Sequence, residues 1–290
     1  GEDGHEFDKM FCLQGEVPPQ RYQGIHKNRG PQYIRGIMEG NGESSEKYMW
    51  NTYSMNKEDI WISRTRVPIT GTVNKHIDED FERTETESDL ELWNLYIPKF
   101  APIRIISSSK WDNNYLELRD EEPYDYALAE RSFPESRIVI VRFRIQVSQV
   151  AIGSALEFEV QDQHGTRPMR LRFDKHWISL DREQVFPLTP IPLIMGKWYD
   201  VDLKLDCNLQ SYDLAINGDW IRKDVTFAEK VNTLERLVFR TGPYRGDVRL
   251  IIIEKGEPRP AGLYSEDLPG ADEKMPVSSF WIDDVRTIGQ

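Results

Sequence analysis

The residue types best suited to sugar chemistry lie in a glycine-rich stretch near the start of the chain. Tyr33, Arg35, Glu39 and Asn41 follow one another closely there. An arginine guanidinium can pair its N–H groups with the carboxylate of an anionic sugar, while Glu39 or Tyr33 could serve as nucleophile or acid/base. We therefore predict Tyr33, Arg35 and Glu39 as catalytic candidates and Asn41 as a substrate-binding candidate. The alternative is a loop with solvated charges.

A second set of residues could bind a sugar without cleaving it. Four aromatic side chains are candidates for stacking on pyranose rings: Trp111, Trp177, Trp220 and Tyr244. Trp177 is the best candidate for an exposed ring, since it follows the alternating run from Arg170 to Asp174. Arg172 of that run is a candidate polar partner. We predict that Trp111, Arg172 and Trp177 bind substrate, the alternative being aromatic packing in a core.

Composition and charge exclude several classes of partner. The 290 residues carry 37 Lys and Arg against 49 Asp and Glu, a formal net charge of −12. Nucleic acids and anionic membrane surfaces are bound through Lys and Arg, so neither is an expected partner. The sequence has no run of roughly 18 or more apolar residues, so we expect no membrane insertion. With 39% hydrophobic and 11% aromatic residues, the chain can form a globular core.

The cysteines and histidines argue against a disulfide-rich protein and against a zinc protein. Cys12 and Cys207 are the only cysteines, so the chain has no disulfide framework and no cysteine-based zinc motif. We expect two separate thiols, with a bridge between them as the alternative. The five scattered histidines lack the HExxH pairing of a zinc hydrolase.

Alternation of apolar and polar residues with a period of two predicts half-buried β-strands. The clearest runs are 139–147, 156–160, 169–173, 199–205 and 212–216. Asn217-Gly218 predicts a hairpin turn after the last run, because both residues tolerate positive φ. Short strands separated by Gly, Pro, Asn and Asp predict a β-sandwich or jelly roll. One short helix is expected near Phe227–Val231.

The first 72 residues differ in composition from the rest of the chain. They are rich in Gly and Pro and hold two strand-like runs, Tyr48 to Ser54 and Asp59 to Arg66. The segment 67–72 has the composition of a linker, so the predicted domains are 1–72 and 73–290. Two or three strands bury little apolar surface. The first segment therefore either packs on the second or is the remainder of a larger domain.

Motifs of the first segment resemble the hairpins of sialidase-like (BNR, or Asp-box) β-propellers. Asp3-Gly4-His5-Glu6-Phe7 is similar to a degenerate Asp-box turn. The run from Tyr48 to Arg64 resembles the closing blade of secreted bacterial glycan-degrading proteins of that class. A propeller needs at least four blades of about 40–50 residues each. The resemblance therefore implies that this chain is the C-terminal piece of a larger protein with upstream blades.

From about Asp78 to Thr287 the chain resembles a concanavalin A-like sandwich of the laminin-G or jelly-roll type. The markers are Asp78–Glu82, Gly196–Val201, Phe239–Gly242 and Phe280–Arg286. In such sandwiches the first and last strands lie close together. The resemblance thus implies a structural Ca²⁺, bound through oxygen ligands, with Asp80 and Asp283 as candidates. The alternative is acidic strand ends in an acidic protein.

The concanavalin-like glycosidases also carry an E-x-D-x-x-E strand that supplies acid and nucleophile. Glu157 and Glu159 share one face of a strand but lack that spacing. We therefore expect an exposed stripe at these two residues, and a sandwich that is not the catalytic domain.

These patterns predict an all-β fold, a concanavalin A-like jelly-roll sandwich preceded by a propeller-like hairpin segment. The resemblance implies the C-terminal portion of a sialidase-like glycoside hydrolase, extracellular or periplasmic in a bacterium. The sandwich would be an accessory carbohydrate-binding module, and this chain alone would be inactive. The expected partners are a glycan and the upstream blades of the same polypeptide, and the expected cofactor is Ca²⁺ alone. The alternative is a non-catalytic glycan-binding or structural module that braces a propeller.

Overall fold

The computed structural model describes residues 12–13, 15–24, 26–37, 48–69, 73–86, 90, 92–108, 113–181, 191–242, 252–254, 257–259 and 267–289. Within these ranges every regular element is a β-strand, so the predicted all-β class is confirmed. The chain forms two compact units: Gly1–Thr72 with Arg245–Asp272, and Val73–Tyr244 with Glu273–Gln290.

The first unit contains a three-stranded antiparallel sheet and a separate hairpin. The sheet has the order β1-β2-β3, with β1 at Pro31–Ile37, β2 at Tyr48–Met55 and β3 at Asp59–Arg66. One face of β2 is buried at Asn51, Tyr53 and Met55, as alternation along a strand requires. The hairpin pairs Ile252–Glu254 with Glu257–Arg259.

A buried carboxylate holds the loop that precedes this sheet. Glu58 accepts hydrogen bonds from the backbone N–H groups of Arg21 and Tyr22, at 3.0 and 2.8 Å. The ammonium of Lys27 lies 2.8 Å from the same carboxylate. The side chain of Glu58 is almost fully buried. These donors therefore replace the hydrogen bonds to water that the carboxylate loses on burial.

The second unit is a sandwich of two antiparallel sheets. The first has seven strands in the order β13-β12-β11-β10-β17-β8-β5. The second has eight, in the order β16-β15-β14-β9-β20-β7-β6, with β4 paired to β20. The strands of the first sheet, in chain order, are β5 Trp93–Tyr96, β8 Leu128–Ser136, β10 Leu156–Gln161, β11 Met169–Phe173, β12 Trp177–Asp181, β13 Ile191–Pro192 and β17 Leu234–Arg240. Those of the second are β4 Asp78–Glu79, β6 Ile103–Ser108, β7 Asn113–Asp120, β9 Ile138–Gln149, β14 Trp198–Asp206, β15 Ser211–Ile216, β16 Asp219–Thr226 and β20 Ser278–Gly289.

The inner faces of the two sheets form the hydrophobic core. On β9 the buried residues are the apolar members of the predicted alternation, from Val139 to Val147. Phe143 joins the sheets, since its ring centroid lies 4.5 Å from that of Phe158 and 5.2 Å from that of Phe239. Each strand therefore has one face in the core and turns its remaining side chains outward. Those outward faces carry the candidate sites.

The hairpin prediction is confirmed and the helix prediction is wrong. Asn217 and Gly218 have φ of 52° and 84° and connect β15 to β16. Residues 227–231 form an irregular segment instead of a helix. The side chain of Gln210 explains this, because it bonds both the N–H and the C=O of Val231, at 3.2 and 2.7 Å. Buried Phe227 and Val231 anchor the segment to the core.

Candidate functional site

The outer face of the seven-stranded sheet carries interleaved charged side chains. We call this surface the arginine face and define it by Glu130, Glu157, Glu159, Arg167, Arg170, Arg172, Arg236 and Arg240. The local pattern of the strands places seven of them there, and Arg167 lies in the segment between β10 and β11. Leu156, Phe158 and Val160 of β10 enter the core, so Glu157 and Glu159 point outward. The register sets Arg172 opposite Glu157 on one side and Arg240 opposite it on the other.

Arg240 lies at the centre of the arginine face and binds two carboxylates. Its Nη2 donates to Glu157 Oε2 at 2.6 Å and to Glu159 Oε1 at 2.7 Å. Its Nε donates to the carbonyl of Gly242 at 2.8 Å. Arg240 is 1% exposed, Glu157 3% and Glu159 0%. The expectation of an exposed carboxylate stripe is therefore wrong, because long arginine side chains of the neighbouring strands cover both glutamates.

The charge of Arg240 fixes the protonation state of Glu159. Burial alone would raise the pKa of the Glu159 carboxyl, but the charge and hydrogen bond of Arg240 outweigh it and hold the pKa below its usual value. A general acid in glycoside hydrolysis needs a raised pKa. Glu159 is therefore suited to orienting Arg240 and not to acting as a general acid.

The periphery of the arginine face has more guanidiniums than carboxylates. Arg170 lies 3.6 Å from Glu157, Arg167 3.4 Å from Glu159, and Arg236 3.6 Å from Glu130. The defining set thus holds five arginines and three glutamates. The Nε of Arg172 is buried and has no hydrogen-bond partner among the described residues. Guanidinium N–H groups are donors suited to an anionic group with several acceptor oxygens.

Two predicted substrate-binding residues share this face. Arg172 on β11 pairs with Ser179 on β12, and Trp177 lies two residues before Ser179 on the same outward side of β12. Trp177 is 42% exposed. The carboxylate of Asp174 accepts the N–H groups of His176 and Trp177, both at 2.8 Å, and so shapes the turn before the ring. The other two predicted binders, Asn41 and Trp111, lie outside the described residues.

The predicted catalytic residues lie in the first unit. Tyr33 and Arg35 are exposed on β1, where the register with β2 shifts between Gln32 and Arg35. Tyr33 has a φ of 55° and lies with its ring centroid 5.7 Å from the ammonium of Lys57. Glu39 lies outside the described residues. The catalytic role of the three residues stays a prediction.

The predicted calcium ligands are held by other groups. Asp80 is exposed and accepts a hydrogen bond from the N–H of Glu82 at 3.2 Å. Asp283 is buried, and its Oδ2 lies 3.0 Å from Asn113 Nδ2 and 3.3 Å from Arg144 Nη1. Amide and guanidinium donors do not fit a cation at that oxygen. The described part of the chain has no group of three or more His, Cys, Asp or Glu residues that could hold a metal, and the Ca²⁺ site stays a prediction.

Sequence reasoning missed Arg240, the residue that organises the arginine face. One signal was present, because Arg240 follows Phe239, which faces the core, and alternation then turns Arg240 outward. Its outward position could thus have been predicted. Its two carboxylate partners could not have been predicted, because the pairing of β10 with β17 brings them to Arg240. Glu159 and Glu157 lie 81 and 83 residues from Arg240 along the chain.

Fold and site together define a β-sandwich with a charged outer face. The chain belongs to the sialidase-like CBM domain family, whose model matches residues 93–247, more than half of the sequence. That range contains all seven strands of the sheet that bears the arginine face.

Comparison with solved structures places a sialidase among the most similar. It matches with a TM-score of 0.82 and 31% identity, covering 95% of this chain and 24% of its own. The chain thus spans about a quarter of the length of that sialidase. Cellulose induced protein Cip1 matches at a TM-score of 0.47 and 14% identity, covering 74% of this chain and 97% of its own. A Crh5 transglycosylase matches at a TM-score of 0.47 and 10% identity, covering 75% of this chain and 85% of its own. The comparison with curated proteins gave no match.

None of the described residues forms a helix that is long and apolar enough to cross a membrane.

Proposed function

We propose that this chain is part of a secreted sialidase-like glycoside hydrolase, that its sandwich is a glycan-binding accessory module, and that the arginine face binds an acidic sugar. The observation that carries the proposal is the buried Arg240–Glu157–Glu159 network. A buried ionic network on the outer face of a sheet contributes little net stability, so stability alone does not account for it. Its effect is to fix the guanidiniums around it before a ligand arrives.

The balance of charges supports an acidic ligand. The half-buried guanidinium of Arg172 could donate hydrogen bonds to the carboxylate of an acidic sugar. Trp177 offers an exposed ring at the edge of the same face, suited to the apolar side of a pyranose. The similarity to a sialidase agrees with this choice, since sialic acids are sugars with a carboxylate.

We place the chain in a longer polypeptide as part of the same proposal. The similarity to the sialidase extends over 95% of this chain, including the first unit, in a protein about four times as long. We propose that residues 1–72 belong to a propeller-like domain, that the catalytic residues lie largely in upstream blades, and that the protein acts outside the cell or in the periplasm.

Binding measurements on the whole chain test the proposal. The chain is first screened on an array of sialylated and neutral glycans, and the affinity of the best sialylated ligand is then measured by calorimetry. Arg172→Met keeps the aliphatic stem and removes the donors, so we expect at least about a tenfold loss of affinity. Trp177→Ala should weaken binding as well. Trp220→Ala is the matched control, since Trp220 is an exposed ring on the other sheet.

The outcomes separate the proposal from its alternative. Acidic glycan binding that falls in both arginine-face variants and persists in the control supports it. Failure to bind any acidic glycan would overturn it and favour a module that only braces its neighbours. Equal affinity of the Arg172→Met variant and the wild type would move the binding site elsewhere.

A further inference from the structure

The outer face of the eight-stranded sheet carries a cluster of three aromatic rings. We call Tyr115, Trp198 and Trp281, with Arg144 beside them, the aromatic face. Tyr115 stacks on Trp281 with ring centroids 4.7 Å apart and meets Trp198 edge-on at 5.7 Å. Trp198 and Trp281 lie 6.5 Å apart. These rings are turned away from the core, since Tyr199, Phe280 and Ile282 occupy the inward positions of the same strands.

Polar groups hold the aromatic face in one conformation. The indole N–H of Trp281 donates to Ser279 Oγ at 3.1 Å, and Ser279 donates to Glu117 at 2.6 Å. The guanidinium of Arg144 lies 5.0 Å from the centroid of Trp198. Trp198 and Trp281 are nevertheless only half-buried. Fixed rings that keep solvent exposure are suited to stacking on a sugar ring.

A cleft of about 320 Å³ lies on the same face, further along strands β9 and β20. The strand register orders the surface in rows. Gln146 pairs with Trp281 and with Trp198, and Arg144 pairs with Asp283 in the next row. Arg142 with Arg286, and then Ile140 with Ile288, form the following rows and line the cleft. The aromatic rings and the cleft are therefore two ends of one surface.

The charges along this surface favour a ligand without charge. Arg142 lies 2.7 Å from Asp202, Arg144 lies 3.4 Å from Asp200 and 3.3 Å from Asp283, and Arg286 lies 3.0 Å from Asp78 and 3.3 Å from Asp284. Three guanidiniums thus meet five carboxylates, and an added carboxylate would be repelled. Sugar hydroxyls both donate and accept, so they can bridge such pairs.

We propose that the aromatic face and the adjoining cleft form a second glycan-binding site, which takes a neutral oligosaccharide. One sugar ring stacks on one of the two indoles, Trp198 or Trp281, whose planes are inclined by 44° to each other. A neighbouring ring enters the cleft, where Ile140 and Ile288 contact its apolar side and the arginine–aspartate pairs bind its hydroxyls. The two faces of the sandwich then recognise different parts of a glycan, acidic on one side and neutral on the other. This site does not depend on the arginine face.

Tryptophan indole resonances of the whole ¹⁵N-labelled chain test the second site. The probes are lactose, N-acetyllactosamine, cellotriose and mannotriose, with sialyllactose as the acidic comparison. We expect at least one neutral probe to shift the Trp198 and Trp281 signals and leave the Trp177 signal unchanged. The Trp198→Ala variant should bind that probe at least about tenfold more weakly, while Trp220→Ala should bind it normally.

Two further variants test the proposal even if Trp198→Ala does not fold. Arg142→Gln removes an exposed guanidinium without touching the rings, and should weaken binding of the neutral probe several-fold. Asp200→Asn removes a negative charge. The shifts that sialyllactose causes in the Trp198 and Trp281 signals should then become closer to those caused by the neutral probe. The proposal is overturned if none of the four neutral probes shifts Trp198 or Trp281, or if free sialic acid shifts them as strongly. Loss of binding at the arginine face alone would leave this result unchanged.

Discussion

The Arg240 guanidinium lies 2.7 Å from the Glu159 carboxylate, and both side chains are shielded from solvent on the outward face of a sheet. A second carboxylate, that of Glu157, accepts from the same nitrogen. Since the attraction of such a pair roughly offsets its desolvation, the arrangement fixes geometry more than it adds stability. Glu157 also lies 3.6 Å from Arg170 and pairs in register with Arg172, which the proposed acidic sugar contacts.

Truncation of Arg240 should destabilise the sandwich strongly. Arg240→Ala leaves two buried carboxylates without their cation, a change that costs about 3–5 kcal/mol of unfolding free energy in comparable cases. Arg240→Lys keeps the charge but loses the Nε bond to Gly242, so we expect a smaller loss. Chemical denaturation at neutral pH measures both. Equal stability of Arg240→Ala and the wild type would show that the network is not buried as described.

The stability of the second unit should fall as the pH rises from about 4 to about 7. Burial raises the pKa of Asp120 from 3.8 to about 7, although Thr241 Oγ1 donates to it at 2.6 Å and the N–H of Glu122 at 2.8 Å. The folded state therefore holds the Asp120 proton more tightly than the unfolded state. Its contribution is full below pH 3.8 and is lost as the pH passes through about 7.

Asp120→Asn separates this effect from other titrations. The variant cannot ionise, so its Tm should depend less on pH between 4 and 7 than that of the wild type. Glu159 makes the stability rise with pH at lower pH, because its pKa is lowered. Both proteins contain Glu159, so its effect on stability cancels in the comparison. Parallel Tm curves for the two proteins would contradict the assignment.

The two thiols should differ in their reactivity. Cys12 and Cys207 are both free, as expected from the sequence, with Cys12 exposed and Cys207 buried. Burial raises the pKa of Cys207 to about 11, so it forms little thiolate at neutral pH. A maleimide reagent should therefore label one cysteine rapidly in the native chain and the second only after denaturation. Two rapid equivalents would show that Cys207 is accessible.

The turn between β15 and β16 should depend on glycine. Gly218 has a φ of 84°, and a Cβ added there would meet no atom within 4 Å. Gly218→Ala should thus cost only the backbone strain, about 1 kcal/mol. Gly218→Asn should cost less, because asparagine adopts positive φ more readily than alanine. Denaturation midpoints of the two variants compare the effects, and an equal or larger loss in Gly218→Asn would argue against a strain-limited turn.

The features of this structure that follow from local sequence patterns were predictable, and those that depend on contacts between distant residues were not. The alternation from Val139 to Val147 was enough to predict a core strand, and the same rule applied to Tyr199 would have placed Trp198 outward. The burial of Glu159 was not predictable, because it depends on a strand that pairs from far along the chain. The helix near Phe227 was wrong for a related reason, since the distant Gln210 side chain satisfies the backbone there.

A crystal structure of the chain with a methyl α-sialoside tests the central claim most directly. The account predicts that the sugar carboxylate lies within about 3 Å of a guanidinium nitrogen of the arginine face, with Arg172 among the contacts and the ring near Trp177. A sugar bound only at another surface, or one whose carboxylate meets no arginine of this face, would contradict the account.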